Sequence, residues 1–210
     1  MNAVASPHPV TAHRHPDFVR LGPRFDEALA YAAEMHREQS RKGKPVPYLA
    51  HLLGVASIVL EHGGSEDQAI AGLLHDVLED CGAEHAPVVE AKFGPEVLAL
   101  VRHCTDSELP AGERKAPWGP RKRGYIEALG HLPPGHPALL VSAADKLHNA
   151  RSIVADLAED PDYLSNFSGG AEGQRWYYGA LVEVFDVLLP GPLSAELADV
   201  VARMGEAPQI

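Results

Sequence analysis

Apolar residues recur every three or four positions along almost the whole chain, the spacing of helices with one buried face. Alternating segments bounded by hairpin dipeptides are scarce, so the pattern predicts an all-α protein. Helices are expected at about 24–40, 49–62, 66–81, 84–93, 95–104, 121–131, 137–158, 171–189 and 193–204. The breaks have local causes. "RKGKPVP" at 41–47 stops the first helix with one glycine and two prolines, and Gly63–Gly64 stops the second. Ser65 is a good N-cap, with Glu66 and Asp67 in the turn it opens. "DSELPAGERKAPWGP" at 106–120 reads as a loop and "LPPGHP" as a turn. With no internal repeat, residues 24–205 are expected to form a single compact helical bundle, preceded by a flexible segment at 1–23. His8, His13 and His15 fall in that segment and bind metal only weakly on this reading.

One helix carries more than a core face. In "AIAGLLHDVLEDC", 69–81, with about 100° per residue, Ile70, Leu73, Leu74, Val77, Leu78 and Cys81 share one arc. His75, Asp76, Glu79 and Asp80 occupy the other, with small Ala69 and Gly72 among them. A solvated polar face would account for Glu79 and Asp80 alone. Adjacent imidazole and carboxylate is instead a ligand pair for a divalent metal. Two ligands do not make a site, and two further candidates stand elsewhere. His51 opens "HLLGVASIVLEHGG". Asp145 lies inside the apolar run "LLVSAADKLHNAR", where a carboxylate needs a partner, in the metal or in Lys146 or Arg151. Asn149 follows Asp145 by one turn, placed to orient it or to touch substrate.

Composition narrows the field. The 210 residues, 45% hydrophobic, suffice for one real core. Lys and Arg number 18 against 29 Asp and Glu, a net charge of −11. That balance disfavours nucleic acid and anionic membranes as partners. No apolar run approaches the ~20 residues of a membrane span. The N-terminus lacks a secretory pattern, and two isolated cysteines, Cys81 and Cys104, read as reduced thiols. The expected setting is the cytoplasm.

These residues resemble a known family. His51, His75–Asp76 and Asp145 match the H…HD…D signature of the HD-domain phosphohydrolases. "RKGKPVPYLAH", "LLHDVLEDC", "FGPEVLALVRHCTD" and "AADKLHNAR" are similar, in order, to segments of the RelA/SpoT-type alarmone hydrolases, and cover about 25–155. The nearest group is the small, hydrolase-only one. The resemblance implies a helical HD domain binding one divalent metal, commonly manganese, through His51, His75, Asp76 and Asp145. It implies hydrolysis of the 3′-diphosphate of guanosine tetra- or pentaphosphate to pyrophosphate and GDP or GTP, with Glu79 and Asp80 positioning and deprotonating the water. Three departures stand out. One residue is inserted before Tyr48, so either Arg41 or Lys42 takes the family's basic loop position, and adenosine alarmones stay open as substrates. Leu52 replaces the usual proline, and Cys81 the usual threonine.

The chemistry also follows from the residues. A divalent cation lowers the pKa of water and polarises a phosphoryl oxygen. Glu79, one turn from His75, reaches such a water as general base, with Asp80 as second candidate. Phosphates need cations, and "GERKAPWGPRKRGY" offers Arg114, Lys115, Arg121 and Lys122 for the diphosphate. Trp118 is expected to anchor this loop, Tyr48 to contact ribose or base, and Trp176–Tyr178, His36, His103 and His148 to be structural. Two other readings remain: an HD phosphohydrolase for another phosphorylated nucleotide, and a non-catalytic nucleotide sensor.

Overall fold

The computed structural model describes residue 15 and residues 18–205; the rest of the segment expected to be flexible, with His8 and His13, lies outside the described residues. Helices α1 (Pro23–Met35), α2 (Leu49–Glu61), α3 (Glu66–Leu74), α4 (Ala86–Phe93), α5 (Pro95–Cys104), α6 (Trp118–Gly130), α7 (Pro137–Glu159), α8 (Gly170–Leu188) and α9 (Pro192–Arg203) make the bundle. Among the described residues the only strand-like feature is an isolated bridge between Ser40 and Pro47, so the all-α expectation holds.

Apolar stripes decide the packing. α2 lies against α3 and α7, and α3 also meets α1 and α5. Leu52, Val55, Val59, Ile70, Leu73, Leu74, Leu139 and Leu147 are fully buried there. α8 and α9 close the far side with Leu181, Phe185 and Leu197. The α2–α3 approach depends on Gly72, where a Cβ would stand 3.3 Å from the Ala56 backbone. Proline opens α1, α5, α7 and α9 within their first turn, where its missing N–H is harmless. Ser65 caps α3 in a full capping box with Gln68.

Three boundaries depart from the sequence expectation. α1 stops at Met35, because the next residues turn back toward the bridge at Ser40 and send Gln39 to Asp80. α6 starts at Trp118, inside the expected loop, since the Trp118 ring seats against Gly169 and Gly173 and fixes the turn. α3 ends at Leu74, and residues 77–81 form a π-helical turn, with Gly82 N–H donating to Val77 O at 3.2 Å. Val77 and Leu78 stay buried, so the apolar rhythm continues while the backbone widens. Gly82, at φ 122°, ends the turn in a conformation that favours glycine. Of the expected core aromatics, Tyr177 and Tyr178 are buried but Trp176 is 42% exposed.

Candidate metal centre

Four side chains from three elements meet where α2, the end of α3 and α7 converge. His51 comes from the first turn of α2, His75 and Asp76 from the junction after α3, and Asp145 from the middle of α7. Ligand atoms of His51, His75 and Asp76 lie within 4.8 Å of one another. Asp145 Oδ1 adds itself at 3.2 Å from His51 Nε2 and 3.5 Å from His75 Nε2. Asp76 Oδ2 is 2.9 Å from His75 Nε2 and 3.7 Å from His51 Nε2.

The donor set fits a divalent cation. Both histidines are buried, and both Nε2 atoms have no hydrogen-bond partner. Two orphaned nitrogens facing two carboxylates are costly unless something positive joins them. Their other nitrogens are held. His75 Nδ1–H donates to Gly72 O at 2.9 Å, which leaves Nε2 with its lone pair. His51 Nδ1 lies 2.9 Å from His148 Nδ1. Donation from His51 to His148 leaves the same lone pair on His51 Nε2. His148 is suited to accept: burial, with His51 and Arg41 nearby, lowers it to about 4, so its ring is neutral. Gly54 makes room, since a Cβ there would stand 2.2 Å from the His148 ring.

The carboxylates are supported too. Tyr48 OH donates to Asp76 Oδ2 at 2.6 Å, and burial beside Asp76 keeps that phenol protonated. Asp145 divides its oxygens. Oδ1 faces the imidazoles and accepts from Asn149 Nδ2 at 2.6 Å; Oδ2 accepts from Lys146 Nζ at 2.6 Å. Burial opposes the charge on both Asp145 and Lys146, but each holds the other ionised, with the two histidines adding to the effect on Asp145. Burial would lower His75, yet Asp76 and Asp145 hold it well above the usual imidazole value. The field that attracts a proton there attracts a cation.

Glu79 and Asp80 stand beside this centre on the π turn, at 19% and 26% side-chain exposure. Lys115 Nζ donates to Glu79 Oε1 at 2.9 Å and reaches Asp80 Oδ1 at 3.5 Å. Burial, then Asp106 and Asp76, raise Glu79 above the ordinary carboxylic acid value, against the pull of Lys115. Arg121 and Lys122 both pair with the buried Asp106, and Arg121 also lies 3.7 Å from Glu79. Arg114 is exposed and, among the described residues, makes no ion pair. Arg41 Nη2 donates to Asn149 Oδ1 at 2.8 Å, while Lys42 turns away to Asn166 O at 2.8 Å and the Phe167 ring. Arg41, Lys42, Tyr48 and Asn149 share one cavity with Tyr163 and Phe167. Through Tyr48 and Asn149 it adjoins the Asp76 and Asp145 ligands.

Three contributors escaped the sequence reading. Asp106 holds two of the expected phosphate cations; its Thr-Asp motif was the available signal. His148 was taken as structural, yet it buttresses a candidate ligand. Gln39 Nε2 donates to Asp80 at 2.8 Å from a residue expected to be helical, and nothing in the sequence marks it.

A bundle with this His/Asp centre defines a class, and the comparisons agree: the HD domain family model matches residues 28–165, and the chain belongs to that family. Mouse and human guanosine-3′,5′-bis(diphosphate) 3′-pyrophosphohydrolase MESH1 are each 40% identical to it over 131 residues, 60% of this chain and 68% of theirs. A GTP pyrophosphokinase of Myxococcus xanthus is 33% identical over 151 residues, 70% of this chain but 19% of that protein. A solved structure, described as a metazoan ortholog of SpoT that hydrolyzes ppGpp and plays a role in starvation responses, superposes with a TM-score of 0.68 at 30% identity. The match covers 90% of this chain and 99% of that one.

Proposed function

We propose that this chain is a divalent-metal-dependent hydrolase that removes the 3′-diphosphate from guanosine tetra- and pentaphosphate, releasing pyrophosphate and GDP or GTP. The observation that carries it is the pair of orphaned Nε2 atoms facing Asp76 and Asp145, with a carboxylate pair one turn away. The printed activities of the relatives supply the substrate. Manganese is the metal we assign, since mixed imidazole and carboxylate ligands suit it. The phosphorylated nucleotide and two free thiols fit the cytoplasm.

His51, His75, Asp76 and Asp145 would hold the cation, which supplies Lewis acidity at a phosphoryl oxygen and a lowered pKa for water. Glu79 takes a proton from the attacking water, for which its raised affinity for protons suits it. Asp80, fixed by Gln39, orients that water. The water's oxygen bonds to the phosphorus next to the ribose and the P–O3′ bond breaks. O3′ then takes up a proton. Lys115 and Arg121 border Glu79 and are placed to move onto the diphosphate; Arg114 and Lys122 lie in the same segment. Tyr48, Asn149 and Arg41 or Lys42 border the cavity for the nucleoside.

The test is a panel of guanosine and adenosine alarmones given to purified protein with manganese. Pyrophosphate release from the guanosine compounds is expected. Release from neither set ends this reading, and release from the adenosine set alone moves the base assignment.

A further inference from the structure

Lys146 is a buried cation that the mechanism does not use. It follows Asp145 directly, and only 11% of its side chain is exposed. Its ammonium lies 4.9 Å from the centre of the Tyr125 ring and 6.0 Å from that of Tyr177. Two aromatic faces stabilise a desolvated ammonium and restrict where it can sit. The only carboxylate it meets among the described residues is Asp145, at Oδ2. Asp145 Oδ1 has the opposite outlook, toward both orphaned imidazole nitrogens. One carboxylate thus presents one oxygen to the metal position and the other to a caged cation.

We propose that Lys146 is a positioning residue that keeps Asp145 a one-oxygen ligand and moderates the negative charge of the centre. Carboxylates bind divalent cations with one oxygen or with two, and an oxygen tied to an ammonium is withheld. Two-oxygen binding would fill a coordination position needed by water or substrate. Asp76 and Asp145 together bring two negative charges and Lys146 returns one positive. The centre therefore binds its metal less tightly than four unaided ligands would, and keeps it open.

This rests on the metal reading of the site and not on the identity of the substrate. Lys146→Met removes the charge and the hydrogen bond while leaving an apolar chain between the two tyrosines. Lys146→Gln removes the charge and keeps a donor toward Oδ2. Manganese binding is measured by titration calorimetry on folded protein, and manganese-coordinated water by solvent proton relaxation. Lys146→Met is expected to bind manganese at least tenfold tighter and to carry one water fewer. Lys146→Gln is expected to bind tighter with the wild-type number of waters. Unchanged water in Lys146→Met overturns the inference, as does unchanged or weaker binding in both variants. If Lys146→Met does not fold, unchanged or weaker manganese binding in Lys146→Gln overturns it alone. Wild-type protein that binds no divalent cation overturns the metal reading itself, whereas wild-type binding with unaltered variants removes only the role of Lys146.

Discussion

Asp76 and Glu79 are three residues apart, and the structure gives them different tasks. Asp76 faces two imidazoles; Glu79 faces Lys115. Asp76→Ala should therefore lose metal and activity together, read as metal content after gel filtration alongside turnover. Glu79→Gln should keep its metal while kcat falls by about 10²-fold or more, the usual share of a general base. Normal turnover in that variant would remove Glu79 from the role. The acid limb of kcat/KM follows the Glu79 carboxyl. Burial and the negative charges of Asp106 and Asp76 raise it above its ordinary 4.5, so activity should be lost on acidification at a pH above that value. Asp106→Asn removes one of those charges and lowers the Glu79 pKa. Its limb should move to lower pH; a shift upward would contradict the electrostatics.

At the scale of the element, α2 and the turn after α3 hold the ligands through glycines. Gly54→Ala puts a methyl carbon into the His148 ring. It should weaken metal binding by about 10–100-fold through the loss of support to His51. Gly179→Ala on α8, with nothing within 4 Å of the new carbon, is the control. It should leave metal binding alone and stabilise the helix by about 0.5–1 kcal/mol; calorimetry reads both. These elements were unevenly legible. α2, α5 and α7 follow apolar stripes with clear stops, and His51, His75–Asp76 and Asp145 stood out as polar groups in apolar surroundings. The π turn was illegible because Val77 and Leu78 remain buried whether the turn is wide or narrow. The pairing of Lys115 with Glu79 and of Arg121 with Asp106 was illegible for another reason: both join a helical segment to a distant loop, and spacing along the chain carries no information about such contacts.

The whole molecule is tied together at the centre, since α2, α3 and α7 meet nowhere else through so many polar groups. A cation bound there stabilises the folded state alone, by about 2.7 kcal/mol at 100 times its Kd. For a domain of this size that is a rise in Tm of roughly 5–10 °C, which a melt with and without chelator would show. An unchanged melt would mean that the four ligands do not share one ion. The ion pairs around the centre bear on selectivity. The chain carries a net charge of −11 and binds, on the proposed function, a substrate that is itself strongly negative. Its cations are already engaged: Lys115 with Glu79, Arg121 and Lys122 with Asp106. A ligand therefore enters by exchange, drawing these cations away from internal carboxylates. A single phosphate has too little charge to drive that exchange, whereas a diphosphate beside a second diphosphate has enough. The same displacement that admits the substrate frees Glu79 from its lysine, so the resting protein keeps its base neutralised by Lys115 until a sufficiently charged guest arrives.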